Sequence, residues 1–286
     1  MSFTSRKTIH TTIALVFCVL LLAACGTNSA AATTTQPVMK NVTLSAGAVL
    51  QHSPAGSAQL AWDPTNHTLT VNITLLGLAP NSKHPAHIHS GSCTKEGGAI
   101  YPLHDVMATD EGVGTSTTTI NDVTEGIPTT GWYINVHNGP TMASDEQMMP
   151  ITCGNIANPD QKPTSAQNLH VPLMTDAALD QAASGSALLK LADGTLTVVL
   201  SLQGLAPDTT HAADVHAGGC GSQGKVLYTL KPIVADKTGK GSATTVITGV
   251  TSVPDDGWYL TVHRTTDLSN QANSDPIACG DALTGR

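Results

Sequence analysis

The chain has 286 residues, enough for about two domains of ordinary size. Charged residues make up 12% and aromatic residues 3%, while Thr, Ser, Gly, Ala and Val abound, a balance that excludes coiled coils and helical bundles and favours short strands and turns. The formal net charge is −8, and it falls to −10 if an N-terminal segment carrying Arg6 and Lys7 is removed, which argues against nucleic acid as a partner.

At the N-terminus Arg6 and Lys7 precede an apolar run from Ile13 to Ala24, followed by Cys25. The run is short for a membrane span and has the charged start and small-residue end of a secretory signal, predicted over 1–24. Leu22-Ala23-Ala24-Cys25-Gly26 resembles a bacterial lipobox. That resemblance implies a lipid on Cys25 and a location at the cell membrane, lipid-anchored and facing the extracytoplasmic side; the alternative is an ordinary signal cut nearby. The uncharged Thr, Ala, Ser and Asn residues that follow predict a flexible tether over 25–40.

Six cysteines are present. Cys18 leaves with the signal and Cys25 takes the lipid, so Cys93, Cys153, Cys220 and Cys279 remain, an even number that suggests two disulfides in an exported chain.

The rest of the chain is a duplication. Gly77-Leu78-Ala79-Pro80 matches Gly204-Leu205-Ala206-Pro207 at an offset of 127, and His84, His89, Cys93 and Tyr101 fall on His211, His216, Cys220 and Tyr228. Gly131-Trp132-Tyr133 with His137 matches Gly257-Trp258-Tyr259 with His263 at an offset of 126, as do Pro150 to Gly154 and Pro276 to Gly280. A period this long marks a duplicated domain rather than a solenoid. The predicted domains are 41–157 and 169–286, with a Pro-containing linker over 158–168. Pairing Cys93 with Cys153 and Cys220 with Cys279 is the one of three connectivities that lets each copy fold alone.

Within each copy the apolar pattern has period two. Leu69, Val71, Ile73 and Leu75 alternate with polar residues, and Leu196, Val198, Leu200 and Leu202 occupy the same register of the second copy. In 131–137 Trp132, Ile134 and Val136 take one strand face, and Tyr133, Asn135 and His137 the other. Strands parted by Pro, Gly, Asn and Asp clusters predict an all-β fold of two antiparallel β-sandwiches.

Histidines concentrate in the first copy as His84, His87, His89, His104 and His137. His87 and His89 lie at i and i+2 of a strand, roughly 6.5 to 7 Å apart along the chain, so both can lean toward one ion. His137 ends another strand, and His104 is expected in a loop after Cys93. His87, His89, His104 and His137 are therefore the candidate metal ligands. Nitrogen ligands alone in an oxidising compartment favour copper. A histidine hydrogen-bond network holding loops is the alternative, and His52, His67 and His170 are read as solvated. The second copy has Asp214 where the first has His87, and Lys231 where it has His104. That makes it either a weaker mixed site using Asp214 or a relic kept for structure.

His87-Ile88-His89-Ser90-Gly91 and Tyr133-Ile134-Asn135-Val136-His137 resemble the motifs of the CHRD family of exported domains. The same histidines, with a disulfide from a loop cysteine to the late Cys153-Gly154 or Ala278-Cys279-Gly280, are similar to copper/zinc superoxide dismutase. That resemblance implies a Greek-key topology, copper on His87, His89 and His137, His104 as the imidazole bridging copper to zinc, and dismutation by Cu(II)/Cu(I) cycling. Two departures stand against the enzyme. Between His104 and Thr115 only Asp105 and Asp110 are available for a zinc loop, so the resemblance does not extend to zinc; and Pro150 stands where the anion-guiding arginine would be. The chain also departs from the CHRD pattern, whose usual Pro-X-Gly-Glu-Ile-X-Gly ending is replaced by the stretch reaching Cys153-Gly154. The reading from another class is a non-catalytic cell-envelope interaction module with structural histidines.

Overall fold

Alternating apolar residues put Leu69, Val71, Ile73 and Leu75 wholly inside one core, and Leu196, Val198, Leu200 and Leu202 inside a second. The computed structural model describes residues 44–284 apart from 163, 177 and 223. The predicted signal segment, Cys25 and the 25–40 tether lie outside the described residues.

In chain order the strands are β1 (Leu44–Gln51), β2 (Ala55–Asp63), β3 (Thr68–Leu76), β4 (Lys83–Ser92), β5 (Lys95–Ala108), β6 (Gly114–Ile120) and β7 (Trp132–His137). A four-residue helix α1 (Asp145–Met148) leads to β8 (Pro150–Ile156) and β9 (Gln167–Thr175). The second copy continues with β10 (Ser184–Ala192), β11 (Thr195–Gln203), β12 (Thr210–His211), β13 (Ala213–Ala217), β14 (Val226–Thr229), β15 (Ile233–Ala235), β16 (Gly241–Thr248) and β17 (Trp258–His263). Helix α2 (Gln271–Ser274), β18 (Pro276–Asp281) and β19 (Leu283–Thr284) complete it.

The fold is all-β and antiparallel, with two sheet-rich domains, as the period-two pattern predicts. Hydrogen bonding in the first runs unbroken through β2-β3-β6-β5-β4-β7-β8-β9 and closes, so the sandwich is a barrel. Strands β4, β5 and β6 meander and β7 returns beside β4, which is a Greek key. The second sheet runs β12-β15-β16-β11-β10-β1-β18-β17-β13-β14, with β19 against β1. Its two ends are the same circuit interrupted, because Ala212 alone separates β12 from β13 and residues 230–232 separate β14 from β15. Each domain carries one disulfide, Cys93–Cys153 and Cys220–Cys279, as the repeat alignment predicts.

The barrels do not coincide with the repeats. Strand β1, the leading strand of the first repeat, pairs along its whole length with β10 and touches β18, both of the second repeat. Strand β9, the leading strand of the second, pairs with β2 and β8 of the first. Each repeat thus lends its first strand to the other repeat's sheet. Strand β9 also begins at Gln167, within the stretch predicted as linker. Each exchanged strand fills an edge formed by two strands of the other repeat, β10 and β18 for β1, and β2 and β8 for β9.

A candidate metal centre and its altered copy

His87 and His89 sit on one face of β4, opposite Asn135 and Tyr133 of β7. His137 ends β7, where a register shift between Val136 and His137 turns the strand; bulges commonly re-aim a side chain in this way. Ring centroids lie 5.6 Å apart for His87 and His89, 5.3 Å for His87 and His137, and 5.8 Å for His89 and His137. One nitrogen from each ring falls within 4.8 Å of the others.

Backbone carbonyls set the tautomers. His89 Nδ1 donates to Gly97 O at 3.1 Å and His137 Nδ1 donates to Met148 O at 2.6 Å. Met148 closes α1, whose last carbonyls have no partner within the helix and are free to accept. With Nδ1 protonated, each neutral ring presents a bare Nε2 lone pair, the form that binds metals. His89 Nε2, His137 Nε2 and His87 Nδ1 are all buried without a hydrogen-bond partner, as is Asn135 Oδ1. Burial pushes the His87 pKa down, helped by His89 and opposed by Asp105. Burial likewise pushes His137 down to about 4, against the hydrogen bond to Met148 O and with help from His87 and His89. Rings that resist protonation keep their lone pairs available.

Other predicted residues take different places. His104 lies on β5 rather than in a loop, is exposed, and donates Nδ1–H to Thr117 O at 2.7 Å; it does not join the cluster. The cause is strand phase, since β5 turns Leu103 into the core and the adjacent His104 outward. Lys231, its counterpart, is also exposed, so it does not face the second cluster. His84 is a structural residue: its ring is buried, with Nδ1 donating to His137 O at 3.0 Å and Nε2 lying 2.8 Å from Ser82 Oγ. His52, read as solvated, is half-buried against Gly77 O at 2.8 Å, whereas His67 and His170 are exposed. Lys83 pairs with Asp105 at 2.8 Å.

The second copy repeats the frame with altered contents. Asp214 and His216 on β13 and His263 at the end of β17 bring one ligand atom each within 4.8 Å of the others. His216 Nδ1 donates to Gly224 O at 3.0 Å and His263 Nδ1 to Ser274 O at 2.7 Å, the last residue of α2. Sequence reasoning missed four contributors. Thr261, standing where the first copy has Asn135, places Oγ1 3.0 Å from both His216 Nε2 and His263 Nε2. Tyr133 and Tyr259 stack on His89 and His216 at 5.1 and 4.8 Å. The i, i+2 spacing of Tyr133, Asn135 and His137 was the available signal for the stacking ring and the Asn/Thr position. Asp275, its pKa raised to about 7 by burial, has a buried Oδ2 without a partner and no period to reveal it.

The fold and the clusters define a class: tandem disulfide-bearing Greek-key β domains with histidine groups able to hold a metal ion. The chain belongs to the CHRD domain family, whose profile matches residues 30–140 and again 164–269. Both matches stop ahead of the late cysteines Cys153 and Cys279. No curated protein matches the chain at a significant level.

Proposed function

We propose that this chain is a lipid-anchored, extracytoplasmic protein whose first CHRD domain holds copper through His87, His89 and His137. The observation that carries the reading is three unpartnered, buried ring nitrogens on residues whose ligand atoms converge within 4.8 Å. An all-imidazole donor set suits copper, and the two disulfides agree with an oxidising compartment. Gly97 O and Met148 O hold two of the rings in the binding tautomer, and the Tyr133 ring braces His89. Bound copper would supply a one-electron Cu(II)/Cu(I) couple, and superoxide dismutation is the finer reading. Pro150 in place of a guiding arginine, the Lys83–Asp105 pair and the acidic net charge all oppose attraction of an anion to the site.

Among the described residues no helix is long and apolar enough to cross a membrane; the lipid on Cys25 would supply the attachment. Electron paramagnetic resonance of the Cu(II)-loaded full chain tests the reading. The wild type is expected to show nitrogen-rich ligation that His87→Ala and His137→Ala each disrupt. Unchanged spectra in both variants would leave a cell-envelope interaction module with structural histidines as the better account. Superoxide consumption by the copper-loaded wild type, lost in His137→Ala, tests the finer reading. Cys25→Ala is expected to abolish membrane association.

A further inference from the structure

We propose that Asp214, His216 and His263 form a second divalent-metal site, different in donor set from the first, whose open side faces a ligand-sized pocket. The proposal is independent of copper in the first barrel, because the two clusters share no residue.

The hydrogen count is the first argument. His216 and His263 each commit their Nδ1–H to a carbonyl, so each neutral ring turns a lone pair toward Thr261 Oγ1. A hydroxyl has one hydrogen to give. At most one of the two 3.0 Å contacts can then be a hydrogen bond while both rings are neutral. The arrangement is therefore short of one electron-pair acceptor.

Charge is the second. The side chains of Asp214 and His263 are only 7% and 8% exposed, and His263 Nε2 lies 3.7 Å from the carboxylate. Among the described residues no Lys or Arg nitrogen lies within 4.0 Å of the Asp214 carboxylate, so a bound cation would give its charge a partner. A divalent ion answers both deficits, accepting the two Nε2 lone pairs and one carboxylate oxygen. The first cluster, with His87 in place of Asp214, has no such negative charge. Two imidazoles and a carboxylate make a harder set than three imidazoles, of the kind that holds zinc and its analogues with a position left open.

A pocket is the third. A cavity of about 330 Å³ lies over this cluster, lined by His216, Tyr259, Thr261 and His263, with Pro80 of the first repeat and Asp275 on its walls. That is at the lower end of small-molecule site volumes. Asp275 also lines the pocket, so a carboxylate beyond the three ligands stands on its wall.

Cobalt(II), a spectroscopic stand-in for zinc, tests the site. The full chain carrying His87→Ala and His89→Ala, which disable the first cluster, is stripped of metal and titrated with Co(II). One equivalent is expected to bind with visible d–d bands, and azide is expected to shift those bands by entering the open position. Adding the near-isosteric Asp214→Asn, or separately His216→Ala, should weaken Co(II) binding more than about tenfold. Absence of Co(II) binding to the doubly substituted chain, or bands that survive both further substitutions, would overturn the site. Bands indifferent to azide would overturn its open side. Loss of one metal equivalent between wild type and the His87→Ala/His89→Ala chain reports on the first cluster alone, so the two readings fail separately.

Discussion

Gln51, the last residue of the first repeat's leading strand, lies opposite Cys279 of the second repeat's last long strand. Met174 lies opposite Cys153 in the converse arrangement. These pairings mean that a barrel-forming fragment must be cut across the repeat boundary. Residues 53–176 contain β2 through β9 and the Cys93–Cys153 bond, and so hold every strand of the first barrel. Residues 41–157 lack β9, leaving β2 and β8 with unpaired edges and removing the buried Val171 and Leu173 from the core. Fragment 53–176 is expected to unfold cooperatively in urea with dispersed amide signals by NMR, and fragment 41–157 to do neither. Equal behaviour of the two would contradict the exchange.

Each disulfide spans a long loop, with sequence separations of 60 and 59. The chain-entropy account assigns such a loop about 4 kcal/mol through restriction of the unfolded chain. Replacing Cys93 and Cys153 together by serine is expected to lower the stability of the first barrel by an amount of that order, read from the urea midpoint. A loss below about 1 kcal/mol would show that the unfolded chain is already constrained elsewhere.

His84 couples stability to acidity. Burial is the main cause of its lowered pKa, from 6.5 to about 4, with the hydrogen bond to His137 O opposing. Between those values the unfolded chain binds a proton that the folded chain refuses, so stability is full above pH 6.5 and is lost as pH falls toward 4. The lost contribution is about 3 kcal/mol. His84→Gln should flatten this dependence, measured as urea midpoints at steps between neutral pH and pH 4. Identical pH slopes for the two proteins would rule out His84 as a source.

The parts that the sequence revealed and the parts that it hid have physical causes. Period-two runs such as Leu69 to Leu75 exposed the strands, because one face of each is buried and the other is not. His87 and His89 were readable as a pair since i and i+2 share a strand face, and the late cysteines followed from the duplication. The exchange of β1 and β9 was not readable, because a period-two pattern marks which residues form a strand and not which edge that strand pairs with. His104 was misplaced because β5 is exposed along most of its length and carries little apolar alternation. Carbonyl partners such as Gly97 O and Met148 O are backbone atoms placed by a strand turn and a single helical turn, which leave no side-chain signature.

One of those carbonyls can be moved without touching a ligand. Gly97 O accepts the Nδ1–H of His89, and a Cβ added at Gly97 would collide with the backbone oxygen and hydroxyl of Ser90. The backbone oxygen cannot retreat easily, since Ser90 pairs with Trp132 in the β4–β7 ladder. Gly97→Ala must therefore displace the β5 backbone, and with it the acceptor that keeps His89 Nε2 free for metal. At the adjacent Gly98 a Cβ meets nothing within 4 Å, so Gly98→Ala is the matched control. Loss of an orienting partner typically weakens metal binding by about 10- to 100-fold. Gly97→Ala is expected to lower Cu(II) affinity by that order with all three histidines present, while Gly98→Ala leaves it within about twofold of wild type. Isothermal titration of both full-length variants, with circular dichroism to verify folding, checks the pair; equal affinities would show that the Gly97 carbonyl does not position His89.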